Sequence, residues 1–429
     1  MPFGIDADRK PPRGPLLWAL WIGALLVLVS AAGSIGGTLG PVSALAVVLD
    51  TLLRSGWPAA VFLIAAWGTG AWFGGGERPG GPVRFCFGLA LLLMAGALMG
   101  MLGVLSTATA WGLVLAGAAG GVRALRGSGG KPTLRPPGGW LWVSLPGIAL
   151  LLTAASSPPG VLWSSEYGGY DVLSYHLELP KEWLANGNTR PVLHNVYSFL
   201  PGWVESAYAL LGWLAGGGDL LADGGRRLMS AAYLHAGMTV ASGWVVARLA
   251  RRLAAAAGVR RRGIAGAIAG GLVVNTPWAV VVGSMAYNDM GAVVLGAGAM
   301  LAACRRRPGG WARGALVGFL VGVACCVKPT ALFFAGVPAG VLLLRFAPWR
   351  DWGRVLAAGS VAGLIALSPW LIRNGLMTGN PVFPFATGVL GSGHWTAEQA
   401  ERFASAHTFH GSLVSRARLL VLPDESGAS

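Results

Sequence analysis

Residues 199–217 read FLPGWVESAYALLGWLAGG, and whether this run crosses a membrane decides how every later segment is laid out. A bilayer core of about 30 Å takes about 20 apolar residues of helix, so the run, with Glu205 as its one charge, qualifies by length and composition. Downstream stand Arg248, Arg251, Arg252, Arg260, Arg261 and Arg262. Lys and Arg collect in cytoplasmic loops, and counting 199–217 as a span would put that whole cluster outside. If the run instead lies at the interface or re-enters the membrane, 228–247 crosses inward and the arginines become cytoplasmic. We adopt the second solution.

Working outward, segment 158–200 is the least hydrophobic stretch and holds Glu166, Asp171, His176, Glu178, Lys181, Glu182, Arg190 and His194. It is expected to be an extracytoplasmic loop. Before it, spans are expected near 16–35, 42–74 (broken around Arg54 and Pro58), 85–104, 107–122 and 140–157. Arg9, Lys10 and Arg13 hold the N-terminus inside, and the first span is retained because no small-residue cleavage site follows it. Arg78 with Arg84, then Arg123, Arg126, Lys131 and Arg135, occupy the next inner loops. After the arginine cluster, 264–284 goes out, 290–304 returns to Arg305, Arg306 and Arg307, and 312–327 goes out to Lys328. Then 330–344 returns to Arg345, Arg350 and Arg354, and 355–371 exits, leaving 372–429 outside. The expectation is an all-α, polytopic integral membrane protein of about eleven transmembrane helices, with an extracytoplasmic first loop.

Composition agrees with that class. Of 429 residues, 54% are hydrophobic and 11% charged, where soluble domains carry about 25% charged residues. A soluble enzyme, a disordered chain and a nucleic-acid-binding module are therefore poor readings. The net charge, 32 basic minus 17 acidic residues or +15, reports topology rather than a polyanionic partner. Cys86, Cys304, Cys325 and Cys326 all lie in apolar runs, so no disulfide framework or zinc site is supported. The 68 glycines suit close helix approach, although a GC-rich genome would also favour them.

This topology gathers four polar motifs at the outer face: Tyr170-Asp171 with Tyr175-His176, Tyr287-Asn288-Asp289, Lys328-Pro329-Thr330, and Arg373-Asn374 with Asn380-Pro381. Charges at the ends of spans must be solvated, paired or bound to ligand, so their convergence suggests a site. The plain alternative for each alone is a solvated or snorkelling side chain, and for Asp171 a helix cap with Ser174. Segment 171–187 is expected to form a short amphipathic helix at the interface. No GxxxxGK[ST] loop occurs, and nucleotide sugars are made in the cytoplasm, so a lipid-linked phosphate is the natural activated donor. Lys328, Arg373, Arg226 and Arg227 are the cations available to it. His407 and His410 are spaced to share a helix face as metal ligands, but nearby Gly and Ser favour a solvated loop.

Residues 170–187 (YDVLSYHLELPKEWLANG), followed by 196–201 (VYSFLP) and Glu205, resemble the first extracytoplasmic loop of bacterial GT-C glycosyltransferases. The relatives are the protein mannosyltransferase-like and aminoarabinose transferase-like groups. Residues 286–289 (AYND), 328–332 (KPTAL), 369–374 (PWLIRN) and 378–384 (TGNPVFP) match further segments in order, so the resemblance covers about 140–390. It implies inverting transfer of a sugar from a polyprenyl-phosphate donor to a glycan, lipid or protein acceptor at the outer face of the bacterial cytoplasmic membrane, with membrane lipids as surroundings and no nucleic acid. Asp171 maps to the Asp that acts as catalytic base or positions the acceptor, and Asp289 to the second acidic position with Asn288 beside it. Lys328 and Arg373 match the basic residues near the lipid phosphate. Tyr170, Tyr175, His176, Glu205, Asn374 and Asn380 are assigned to substrate binding. A divalent cation is compatible with this reading and not required by it. The family also has juxtamembrane helices after the first loop. Three parts follow: a four-span N-terminal extension (1–138), a GT-C-like membrane core (139–390), and an extracytoplasmic tail (391–429) that ends early for the family, as in a short or truncated member. A transporter would carry ionisable residues near mid-membrane and internal repeats, but mid-span charges are scarce beyond Asp50 and Arg54 and no repeat is visible; a noncatalytic assembly protein is the other alternative.

Overall fold

The computed structural model describes residues 13–35, 37, 39–73, 81–126, 136–158, 161–163, 169–217, 226–305, 309–408, 411, 412, 414, 415 and 418. Arg9, Lys10, Arg78, Lys131, Arg135, Glu166, Arg306, Arg307 and His410, and the side chains of Arg13 and Arg226, lie outside them. Among the described residues every regular element is helical. The chain forms two compact units, Met1–Pro369 and Trp370–Ser429.

The first unit opens with α1 (Arg13–Ser34), α2 (Pro41–Ser55), α3 (Trp57–Trp72), α4 (Pro82–Met101) and α5 (Thr107–Arg126). α2 and α3 are bent by 58° at Gly56, where Pro58 starts the second piece; this is the break expected at Arg54 and Pro58. Next come α6 (Gly139–Val143), α7 (Leu145–Ala155), α8 (Glu178–Asn186), α9 (Trp203–Leu214) and α10 (Arg226–Ala256). α11 (Arg262–Asn275) and α12 (Pro277–Gly283) are bent by 56°, again before a proline. α13 (Asp289–Ala303), α14 (Gly310–Val327), α15 (Val337–Phe346) and the start of α16 (Trp352–Thr378) complete the unit.

Among the described residues five helices are long and apolar enough to cross a membrane, or up to seven if each bent pair is one span. That falls short of the expected eleven. α7, α13 and the 332–346 segment are apolar but shorter than a full span. α10 is 31 residues long, but polar residues such as His235, Thr239 and Ser242 dilute its hydropathy. α9, the heart of the 199–217 run, has 12 residues, about 18 Å of helix, and every one of them is buried. It is too short to span a bilayer, and Pro201 with Gly202 marks its start.

α10, α13 and α14 set the frame. At one end the Met290 backbone N–H donates to His235 Nε2 (3.0 Å) and Lys328 Nζ reaches Asp289 Oδ1 (2.6 Å). At the other, Arg252 Nε donates to the Cys304 carbonyl (3.1 Å) and Arg313 Nη1 to the Arg305 carbonyl (2.7 Å). The ends are about 20–25 Å apart along these helices. α4 lies inside the unit, its apolar stretch 67% buried, whereas α1 is 11% buried and offers its flank outward. α3 and α4 also pack on α9, α10 and α13, so the 1–138 segment is part of this unit. Glycine makes the closest crossings: a Cβ on Gly68 would collide with the Gly117 carbonyl of α5, and one on Gly318 with the Gly359 carbonyl of α16.

The second unit holds the end of α16, α17 (Thr387–Leu390) and α18 (Ala397–His407). Thr396 and Gln399 form a capping box at the start of α18. Phe383, fully buried, packs on His394 and Trp395.

Candidate functional site

The site is built where the 170–205 loop meets the start of α13 and the end of α14. The loop does not form one amphipathic helix. Residues 172–176 make a wide π turn, with the Leu177 N–H bonded to the Val172 carbonyl (2.9 Å), before α8 begins. α8 then buries Leu179, Pro180, Trp183 and Leu184 and stops at Gly187, whose φ of +68° suits glycine. The π turn sends two consecutive side chains, Tyr175 and His176, inward. Asp171 has helical backbone angles and makes no cap hydrogen bond, so the capping alternative does not hold.

Asp171 Oδ2 accepts from the Tyr175 hydroxyl (3.3 Å), and the Tyr175 ring stacks on Tyr197 (4.3 Å, 21°). Burial pushes the Tyr175 phenol far above its ordinary pKa, and the Asp171 and Glu205 carboxylates push it further in the same direction. Tyr197 moves the same way, again through burial first and Asp171 second. Both phenols therefore stay protonated and can donate.

Behind them Glu205, 3% exposed, accepts at Oε1 from His176 Nδ1 (2.6 Å) and Asn288 Nδ2 (3.0 Å). Asn288 Nδ2 also donates to the Val327 carbonyl (3.0 Å), tying the start of α13 to the end of α14. Glu205 Oε2 and Asn288 Oδ1 are buried acceptors without a hydrogen-bond partner. Such groups normally find a donor, so two together mark a place prepared for one. Pro329 ends α14 at Lys328 and leaves Lys328 in extended backbone with its ammonium on Asp289. That ion pair is half-exposed, 40% and 35% for its two side chains, and contributes no more than about 1 kcal/mol.

Tyr175, Tyr197, Glu205, Asn288 and Lys328 together line a pocket of about 60 Å³. Ligand sites usually enclose about 300–1,000 Å³, so the pocket holds a hydroxyl or a few waters rather than a sugar ring. Asp171, His176 and Asp289 touch its lining residues. Tyr170 is 68% exposed, and its carbonyl accepts from the Ser174 hydroxyl.

The remaining candidates are placed differently. In the second unit Arg373 Nε and Nη2 donate to Asn374 Oδ1 (3.1 and 3.0 Å), and Asn374 Nδ2 donates to the Phe383 carbonyl (2.8 Å). Asn380 is fully buried and donates to the Phe385 and Gly391 carbonyls, so both asparagines hold the 380–391 turn. Arg227 donates to the Gly217 carbonyl. His407 Nδ1 donates to the Phe403 carbonyl (2.8 Å). Among the described residues no three His, Cys, Asp or Glu side chains are placed to hold a metal ion.

Sequence reasoning missed three residues. Tyr197 was visible only as part of a motif. Tyr208, buried on α9, donates to the Tyr287 carbonyl. His235 on α10 donates from Nδ1 to the Met285 carbonyl (2.8 Å), lies 3.0 Å from the Val282 carbonyl, and caps the Met290 N–H, fixing the turn that carries Asn288 and Asp289. A lone imidazole inside an apolar helix was the available signal.

No protein-family model, curated protein or solved structure matches the chain. The likeness to GT-C enzymes rests on its motifs.

Proposed function

We propose that the protein is a membrane glycosyltransferase that moves a sugar from a polyprenyl-phosphate donor to a hydroxyl acceptor at the outer face of the bacterial cytoplasmic membrane. The observation that carries this reading is the convergence of three distant motifs, 171–205, 287–289 and 328–329, on one pocket. In this reading about eleven segments traverse the bilayer, the shorter and more polar helices included, with the arginine-rich end cytoplasmic.

Asp171 takes the acceptor's hydroxyl proton as that oxygen attacks the anomeric carbon. The bond from that carbon to the phosphate oxygen breaks with inversion, and the polyprenyl phosphate leaves as an anion. Lys328, held by Asp289, offsets the charge that develops on it. Glu205 and Asn288 offer their unpartnered oxygens to hydroxyls of the bound molecules, while His176 fixes the Glu205 carboxylate. The donor's sugar ring lies over the mouth of the pocket, which is too small to enclose it.

Native mass spectrometry of the purified chain with a panel of polyprenyl-phosphate sugars tests this reading. The expected result is selective binding of one donor, weakened by Lys328→Ala and kept by Asp171→Asn, which abolishes transfer. Folded protein that binds no lipid-linked donor would favour a noncatalytic assembly role instead.

A further inference from the structure

Both ends of α2 are fastened at one end of the first unit. The Ser30 hydroxyl of α1 donates to the Pro41 carbonyl (2.8 Å), and the Ser230 hydroxyl of α10 donates to the Ser55 carbonyl (2.7 Å). Ser30 lies four residues before the end of α1, and Ser230 four residues after the start of α10. Those helix ends are neighbours: a Cβ on Gly33 of α1 would touch Thr153 of α7 (3.7 Å), and the Ser156 hydroxyl beyond α7 meets the Tyr233 hydroxyl of α10 (2.7 Å). His235, which holds the Asn288–Asp289 turn of the candidate site, follows on the same stretch of α10.

From that end α3 runs alongside α10, with Leu63 against Gly237. Trp57 opens α3 and stacks on Trp111 of α5 (6.0 Å, 15°), and Trp72 closes it beneath the Arg123 guanidinium (5.2 Å). Indole rings settle at the two membrane–water boundaries, so a Trp at each end marks α3 as a crossing segment. Its 16 residues make about 24 Å of helix, which leaves about 6 Å of a hydrocarbon core about 30 Å thick. α2 has 15 residues, about 22 Å, and meets α3 at a bend of 58°, so it does not stand upright in what remains.

The surface of α2 is divided three ways. Ala44, Val48 and Ser55 are buried in protein. Ser43, Asp50 and Arg54 are exposed at spacings of seven and four residues, which puts them on one stripe, and Arg54 Nε donates to Asp50 Oδ1 (2.6 Å). Val42, Leu49 and Leu53 repeat that spacing one residue earlier, a second stripe turned by about 100°, and are 82%, 36% and 74% exposed. Val47 is the exposed apolar side chain on the other flank of the polar stripe. Hydrocarbon all round would surround the ion pair at great cost, and water all round would leave the Val42–Leu53 stripe uncovered. An oblique helix with both kinds of stripe fits the headgroup boundary of a bilayer.

We propose that α2 is an interfacial helix that binds the bilayer surface at the end carrying the candidate pocket. Val42, Leu49 and Leu53 enter the acyl boundary, while Ser43, Asp50 and Arg54 stand among the headgroups. α3 alone then crosses, and the number of crossings is unchanged. The assignment is independent of the transferase reading.

The test is depth measurement by fluorescence quenching on the full chain in phosphatidylethanolamine–phosphatidylglycerol vesicles. Single probes are attached at Ser43→Cys, Arg54→Cys, Leu49→Cys and Leu53→Cys, with Ile64→Cys as the mid-crossing reference; all five positions are exposed, so the core is left alone. Cys86, Cys304, Cys325 and Cys326 are buried and add little background. Aqueous iodide is expected to quench the probes at 43 and 54 at least about fivefold more than the probe at 64. Lipids spin-labelled near the headgroup should quench the probes at 49 and 53 more than lipids labelled near the chain end, with the reverse order at 64. Chain-end quenching at 49 and 53 equal to that at 64 would put α2 in the core and overturn the proposal. Equal iodide quenching at all four α2 positions without lipid quenching would put the helix in water and overturn it too. Protection of all four from iodide and lipid alike would do the same, because a protein partner would then cover the helix.

Discussion

Around the pocket the carboxylates find partners inside the chain: Lys328 holds Asp289, His176 holds Glu205, Lys181 holds Glu178, and His194 holds Glu182. At the other end of the same helices Arg248, Arg251, Arg252, Arg260, Arg261 and Arg262 stand on a stretch from 224 to 288 that has no acidic residue. The difference separates two uses of charge. A carboxylate with an internal partner is held at a fixed distance, which chemistry needs. A cluster of one sign acts through its summed charge on headgroups, solvent and the membrane field, which set orientation. Geometry should therefore matter at the first end, and total charge at the second.

The largest effect is expected from Asp171→Asn, which removes the proton acceptor and should lower transfer about 10²- to 10⁴-fold with the fold unchanged. Retained turnover in a donor-to-acceptor assay would take Asp171 out of the base role. Glu205→Ala comes next. It strips His176 and Asn288 of their buried partner and should destabilise the chain by about 3–5 kcal/mol, read as a fall in the thermal midpoint in detergent. His235→Phe leaves the Met290 N–H and the Met285 carbonyl without their partner and should lose about 1–3 kcal/mol. A smaller effect is expected in alkali. Above about pH 10 an unfolded Tyr175 loses its proton while the folded one keeps it, so stability falls as pH rises through that range. Tyr175→Phe should flatten the midpoint measured between pH 9 and 11. Least affected is Arg260→Gln, an exposed substitution expected to stay within about 0.5 kcal/mol. A loss at Arg260 equal to that at Glu205 would break the contrast between the two ends.

The helices were largely legible in sequence because apolar runs and proline breaks are local signals. The 42–74 run broken near Pro58 is α2 and α3, the 107–122 run lies within α5, and the 312–327 run lies within α14. The number of crossings was less legible. α7 and α13 are apolar yet short, and α9 is wholly buried by its neighbours rather than by lipid; composition reads the same in both settings. Within the site, Asp171, Asp289 and Lys328 stood out as charges at the ends of apolar runs. Tyr208 and His235 did not, because their importance lies in which backbone atoms they meet across α9, α10 and α13.

By itself the sequence determined the class, an all-helical protein with helices long and apolar enough to cross a membrane, and the clustering of its arginines along the chain, since hydropathy and charge sum over neighbouring residues. Only the tertiary structure decided that Glu205 meets His176 and Asn288, that Lys328 is held by Asp289, and that Asn374 and Asn380 spend their amides on a turn. Those partners lie as many as 83 residues apart, as Glu205 and Asn288 do. No periodicity encodes a meeting at that range, because helix packing fixes which side chains come within 3 Å.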